Sequence, residues 1–259
     1  MTIQHCRHLS VSTVLCAIAI LANTPSAAGQ ATFRVVSYMN YLDQPGGMVE
    51  GSPGVFYSEA GTSTHAVLSI TTQGSKTILA IVQSPYQVAS QLLSAADGRF
   101  YSSFGQGTDP TYVFSVTSSP GSRRIYPGQG LDPLLTQNLP DGELLAIATP
   151  NTRVLWSLAK VDLNGTVTSI YQFSSAERLD TAIYASDGNY YGVSQTNPAG
   201  TGYIFRVTPS GSLTTLYNFP GNTFAGFFGA ALLQAGDGNV YGTTPNGGAN
   251  GTGTSISSP

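Results

Sequence analysis

From residue 48 onward, apolar residues come in short runs rich in Val, Ile, Leu, Thr, Tyr and Phe. Each run is cut off by Gly, Pro, Asn or Asp. Runs of this length and content suit strands. No stretch after residue 28 carries the i, i+3, i+4 spacing of an amphipathic helix, so helix is expected to be scarce.

The runs recur in a fixed order. One precedes a Gly-containing turn: QLLSAA (91–96), LLTQNL (134–139), TAIYAS (181–186) and ALLQAG (231–236). The turn is Asp97-Gly98, Asp141-Gly142, Asp187-Gly188 and Asp237-Gly238, with Pro53-Gly54 as an earlier relative. A second run follows each turn at once. A third reads VLSIT (67–71), VFSVT (113–117), LWSLA (155–159), IFRVT (204–208) and GTSIS (253–257). After another Gly turn comes a fourth: TILAIV (77–82), RRIYP (123–127), TVTSIYQF (166–173) and SLTTLYNF (212–219). From residue 53 the spacings are 44, 44, 46 and 50. Four residues past each turn's first position stand Tyr57, Tyr101, Leu145, Tyr191 and Tyr241; one further on stand the small residues Ser58, Ser102, Ala146, Gly192 and Gly242.

Asp-Gly between two β runs predicts a tight two-residue hairpin, with glycine supplying the positive φ. The aromatic is expected to pack on the next unit, and the small residue to let neighbouring sheets approach. Four antiparallel strands per repeat of this length make one propeller blade. The expected fold is therefore an all-β propeller of about five four-stranded blades. The fifth copy lacks a fourth run, while FRVVSYM (33–39) is a spare one, so closure of the last blade by residues 33–39 is expected. The alternatives are an open or truncated propeller array and, further off, a β-sandwich.

Residues 1–28 read as a signal peptide: Arg7 supplies charge, LSVSTVLCAIAILA (9–22) is apolar, and Ser26-Ala27-Ala28 offers a cleavage site. The apolar stretch is short for a membrane span, so no stable span is expected after cleavage. Residues 29–259 then form the repeat domain, secreted or held at the cell surface or in the periplasm. Both cysteines, Cys6 and Cys16, fall in the leader, so no disulfide supports that domain. Charged residues are 9% of the chain, against about 25% in ordinary proteins. The chain carries a net charge of −3, which speaks against nucleic acid as a partner.

Little in the sequence points to catalysis. His65 is the one histidine after the leader and is expected in a loop; no G-x-S-x-G motif accompanies it. No metal site and no cofactor are expected. The repeated aspartates read as turn residues, since they belong to different repeats and would not converge on one Ca²⁺. The densest charge cluster is SSAERLD (174–180), placed in a connection between blades. The long connections share one end of the strands and the Gly turns the other. The long-loop end, with Glu59, Asp109, Arg153, Glu177, Arg178 and Asp180, is therefore the expected recognition face for a glycan or a protein. A propeller hydrolase or lyase acting on a sugar or lactone is the alternative.

The stretch GSLTTLYNF…ALLQAGDGNVYGTTPNGGANGTG (211–253) resembles the GloVer tandem repeats of bacterial exported proteins. The likeness is specific over 165–253 and fades toward residue 60. It implies an exported β-propeller-like protein and supplies no catalytic residue.

Overall fold

The computed structural model describes residues 16–22, 32–39, 47–60, 65–82, 87–88, 91–105, 112–121, 123–127, 131–150, 155–175, 177–196, 201–219, 231–244 and 254–257. Among these, every regular element is a β-strand. The chain divides into two compact units. One comprises Met1–Gln87 with Val116–Arg123, the other Val88–Ser115 with Arg124–Pro259.

The first unit holds a hairpin, β1 (Cys16–Ala22) and β2 (Thr32–Met39). It also holds a sheet of β3 (Met48–Ser52), β4 (Val55–Ala60), β5 (His65–Thr71) and β6 (Lys76–Val82), each antiparallel to the next. Two expectations are corrected here. His65 opens β5 rather than lying in a loop before it. Residues 33–39 do not complete the last sheet: β2 pairs with β1, an apolar segment close by in sequence, with Leu21 opposite Phe33.

The next sheet is built from β7 (Gln87–Val88), β8 (Leu93–Ser94), β9 (Phe100–Gly105), β10 (Tyr112–Val116) and β11 (Arg123–Pro127). Its first run is broken into two short pieces, both paired with β9, so this sheet has five strands rather than four. Then come β12 (Leu131–Asn138), β13 (Leu144–Pro150), β14 (Ser157–Val161) and β15 (Val167–Gln172) in one four-stranded sheet. Another contains β16 (Glu177–Tyr184), β17 (Tyr190–Thr196), β18 (Thr201–Val207) and β19 (Leu213–Asn218). The last has three strands, β20 (Ala231–Gln234), β21 (Val240–Thr244) and β22 (Thr254–Ser257). In the three sheets from β12 onward sequence neighbours pair antiparallel, as a meander requires.

The turns hold these meanders in register. Gly188 donates its N–H to Ala185 O (3.0 Å) and Ala185 donates to Asn189 O (2.9 Å). The loop is therefore three residues long, with Gly188 last at φ 82°, one residue more than the two-residue hairpin expected. A left-handed glycine closing a three-residue loop lets an ordinary type I turn match the strand twist. The aspartate completes it. Oδ1 of Asp97, Asp141, Asp187 and Asp237 accepts the N–H two residues on, at 3.0, 3.1, 3.0 and 3.0 Å. Oδ2 of three of them accepts the hydroxyl of Tyr101, Tyr191 or Tyr241, at 2.7, 2.7 and 2.8 Å. Where Leu145 brings no hydroxyl, Lys160 on β14 bonds Asp141 and also reaches Glu143 (3.0 Å). Where Pro53 replaces the aspartate, Glu50 accepts the Gly54 N–H instead (2.8 Å).

The core of the second unit lies between consecutive sheets. Leu144 and Ala146 face back onto Leu93, Tyr101 and Val113. Leu145 and Ile147, pointing the opposite way, join Leu179, Ala182 and Phe205. Val193 and Phe219 continue the packing toward Leu232. The small residue after the aromatic has a different role from the one expected. Gly192 makes room within its own sheet: a Cβ there would lie 2.2 Å from the Phe205 ring and 2.6 Å from Thr181 O, and Phe205 is its cross-strand partner.

Two substitutions test this packing. Gly192→Ala drives a methyl into the Phe205 ring and a fixed carbonyl, and urea unfolding should show a loss of about 1–3 kcal/mol. Tyr101 is 1% exposed and Tyr241 38%. Removing the hydroxyl with Tyr101→Phe should therefore cost about 1 kcal/mol. Tyr241→Phe should stay within about 0.5 kcal/mol of wild type, as exposed positions usually do.

Candidate functional site

Of the six charged residues expected at the recognition face, three come together. Glu177, Arg178 and Asp180 lie at the start of β16, which begins four residues earlier than the sequence run suggested, so they belong to a strand and not to a connection. Glu59 is buried on β4, in the other compact unit. Asp109 and Arg153 lie outside the described residues. Among the described residues no group of three or more His, Cys, Asp or Glu is placed to hold a metal ion, and no helix is long and apolar enough to cross a membrane.

β16 and β17 pair in regular register except between Leu179 and Thr181, where Asp180 is left over as a bulge. A bulge of this kind re-aims a side chain at the rim of a sheet. The Asp180 side chain is 3% exposed, with Oδ1 3.3 Å from Arg178 Nε. That contact is between charges rather than an aligned hydrogen bond, and Asp180 Oδ2 is buried without a hydrogen-bond partner among the described residues. Burial pushes the Asp180 carboxyl up to about 6, against the pull of the Arg178 charge and of nearby Gln195. The Arg178 guanidinium sits over the ring of Trp156, 5.7 Å from its centroid. A cation held over an indole face is a favourable pairing.

Glu177 behaves oppositely. Burial alone would raise its pKa, yet the hydroxyl of Tyr203 and the N–H of Ser174 (2.9 Å) both donate to it and hold it below the ordinary carboxylate range. Tyr203 pays the converse: burial and the Glu177 carboxylate push its phenol up. Ser194 Oγ donates to Arg178 O (3.0 Å) and fixes the strand from behind.

The site therefore spans two consecutive sheets, with Trp156 from the entry to β14 and Glu177, Arg178, Asp180 and Tyr203 from β16 and β18. Trp156, Tyr203 and Gln195 were not expected from sequence. Trp156 is the sole tryptophan of the chain, and that rarity was the signal available. Nothing local marks Tyr203, which meets Glu177 only because β18 returns beside β17.

No protein-family model and no curated protein matches the sequence. Solved structures do match in fold. Puromycin hydrolase aligns with a TM-score of 0.60 at 16% identity, over 85% of this chain and 37% of its own. Prolyl oligopeptidase B from Galerina marginata aligns at 0.62 and 11%, over 89% of this chain and 34% of its own. A TolB-type protein from Agrobacterium tumefaciens aligns at 0.51 and 14%, over 75% and 72%. The chain thus spans little more than a third of the two hydrolytic relatives. These neighbours are β-propeller proteins, and the class this chain shares with them is the β-propeller-like all-β fold. At such identities the likeness speaks for fold alone.

The Asp180 environment gives a pH dependence with a definite sign. In the unfolded chain its carboxyl titrates near 3.8, in the folded chain near 6. The folded state therefore holds the extra proton between those values, and this group's contribution to stability falls as pH rises through them. Compared with Asp180→Asn, wild type should lose stability between about pH 4 and pH 7, by at most about 3 kcal/mol, and show no further relative change above that. Urea titrations of both proteins across the range check it; a difference that is flat or grows in favour of wild type would contradict the burial of this carboxyl.

Proposed function

We infer that the chain is an exported β-propeller of about five blades, akin to the GloVer repeat proteins, that binds a glycan or a protein at its long-loop end without acting on it chemically. The observation that supports this most directly is the Trp156–Arg178 ledge. An aromatic face topped by a partly exposed guanidinium offers stacking area and a fork of donors, a combination enriched at recognition surfaces. The nearby carboxyls are occupied with holding that ledge. Glu177 is engaged by Tyr203 and Ser174, and Asp180 is almost wholly covered.

One observation favours a second reading, a hydrolase or lyase acting on a sugar or lactone. Two carboxyls three residues apart are driven in opposite directions, Asp180 upward and Glu177 downward. Such a split is how acid and base roles are assigned in carbohydrate-cleaving sites. The 3% exposure of Asp180 weighs against it, because an acid must reach the atom it protonates.

A glycan array and a panel of purified cell-surface proteins, probed with wild type and Arg178→Ala, test the first reading. Ligand signal should fall at least about tenfold in the variant, as for an anchor residue, while the thermal midpoint holds. Asp97→Ala should do the reverse, lowering stability by about 1–2 kcal/mol through the lost turn bonds and leaving affinity per folded molecule unchanged. Turnover of chromogenic glycosides or lactones that vanishes in Asp180→Asn would replace this reading with the second.

A further inference from the structure

At the Gly-turn end, consecutive sheets of the second unit meet in two different ways. Between the sheet of β12–β15 and that of β16–β19, the seam is filled by Tyr184 and Tyr190 of the second sheet, cross-strand partners with ring centroids 5.3 Å apart that join the cluster of Leu139 and Leu145. Beside them the Lys160 ammonium is paired with both Asp141 and Glu143. One repeat later every one of these positions has a counterpart. Asp141 corresponds to Asp187, Leu145 to Tyr191 and Lys160 to Arg206, and the cross-strand pairing is kept, Leu145 opposite Lys160 and Tyr191 opposite Arg206. The rest changes. Asn189 stands where Glu143 stood, removing one carboxylate, and Gln234 and Val240 stand where the two tyrosines stood.

The consequence is a cleft of about 360 Å³ between the β16–β19 sheet and the β20–β21 hairpin, lined among others by Tyr191, Arg206, Leu216, Gln234 and Val240. Its frame is rigid. Gln234 accepts from Ser186 N (2.8 Å) and donates to Ser186 Oγ (2.9 Å) and Gly238 O (2.8 Å), tying one turn to the next. Asp187, on its rim, already takes three donors: Asn189 N, Asn189 Nδ2 and the Tyr191 hydroxyl. Arg206 is different. Its guanidinium also meets the Tyr191 hydroxyl, but its Nε is buried with no hydrogen-bond partner among the described residues, and no ion pair to it is found among them. A buried charged N–H left without an acceptor is costly, and a guanidinium fork matches a carboxylate in shape and charge. Leu216, Val240 and the Tyr191 ring give the remaining wall an apolar surface, suited to the C–H face of a sugar ring. The volume sits near the lower end of the roughly 300–1,000 Å³ typical of ligand pockets.

We propose that this cleft is a second binding site, separate from the long-loop ledge, that takes a hexuronate residue of an acidic glycan with its carboxylate on Arg206. It shares no residue with the Trp156–Arg178 ledge, so either assignment stands or falls without the other.

Calorimetric titration of the intact chain with glucuronate and galacturonate, against glucose, galactose, acetate and a short peptide with a free C-terminus, tests it. Hexuronates should bind with a dissociation constant of about 1 mM, and the neutral sugars and acetate at least about tenfold more weakly. Arg206→Gln should abolish binding. Two further variants, which restore residues the previous repeat already carries, guard against a folding defect. Asn189→Glu supplies a carboxylate to Arg206, and Val240→Tyr refills the cleft. Both should abolish hexuronate binding with the thermal midpoint kept. The proposal is overturned by hexuronate binding that survives these changes, by no hexuronate binding in wild type, by neutral sugars or acetate binding equally well, or by preference for the peptide carboxylate.

Discussion

The sheet of β12–β15 is apolar on both faces at its centre and is covered on both. β13 shows the constraint most plainly. Its residues from Leu144 to Ala148 are all at most 2% exposed, with Leu144 and Ala146 turned to the preceding sheet and Leu145 and Ile147 to the following one. Strand side chains alternate faces, so an unbroken apolar run in a strand of this length demands a neighbour on each side. A stack of consecutive meanders meets that demand. Everything else adapts to it: close intra-sheet fits such as Gly192 under Phe205, and the amide clamps that hold adjoining sheets in step. Gln137 accepts from Tyr184 N (2.8 Å) and donates to Tyr184 O (3.2 Å) across one such boundary; Gln234 works across the next.

The hairpins that make each meander depend on one repeated polar arrangement. A carboxylate takes a turn N–H on one oxygen and a second donor on the other. The second donor is a tyrosine hydroxyl in three repeats and a lysine in another, and in the first repeat the carboxylate itself comes from Glu50. The chemistry is conserved from repeat to repeat more closely than the residue that supplies it, because an unsatisfied turn N–H is costly whatever its neighbours are. Pairing the tyrosine with Asp187 also raises its phenol pKa, chiefly through burial and then through the carboxylate.

Both candidate sites lie where the repeats depart from this rule. The ledge at the long-loop end exists because β16 starts early and bulges at Asp180. The cleft at the Gly-turn end exists because two tyrosines and a glutamate of one repeat become Gln234, Val240 and Asn189 in the next. At the cleft, Arg206 lacks the two carboxylate partners that its counterpart Lys160 has among the described residues.

The all-β character and the positions of the glycine turns were legible in the sequence, because each rests on local chemistry: Gly-turn residues, positive φ at glycine, and short β-branched and aromatic runs. So was the clustering of Glu177, Arg178 and Asp180, which are neighbours along one strand. What the tertiary structure alone decided involves partners far apart in the chain. The hydrophobic match of residues 33–39 to other outer strands fitted the last sheet as well as it fitted β1, since apolar spacing names a kind of neighbour and not a particular one. The start of β16, the partners of Tyr203 and Trp156, and the ring that Gly192 accommodates follow from how strands return beside each other. The open boundary beside Arg206 follows from the absence of rings that only packing between sheets would have brought there, and no local pattern in the sequence records a space that is left unfilled.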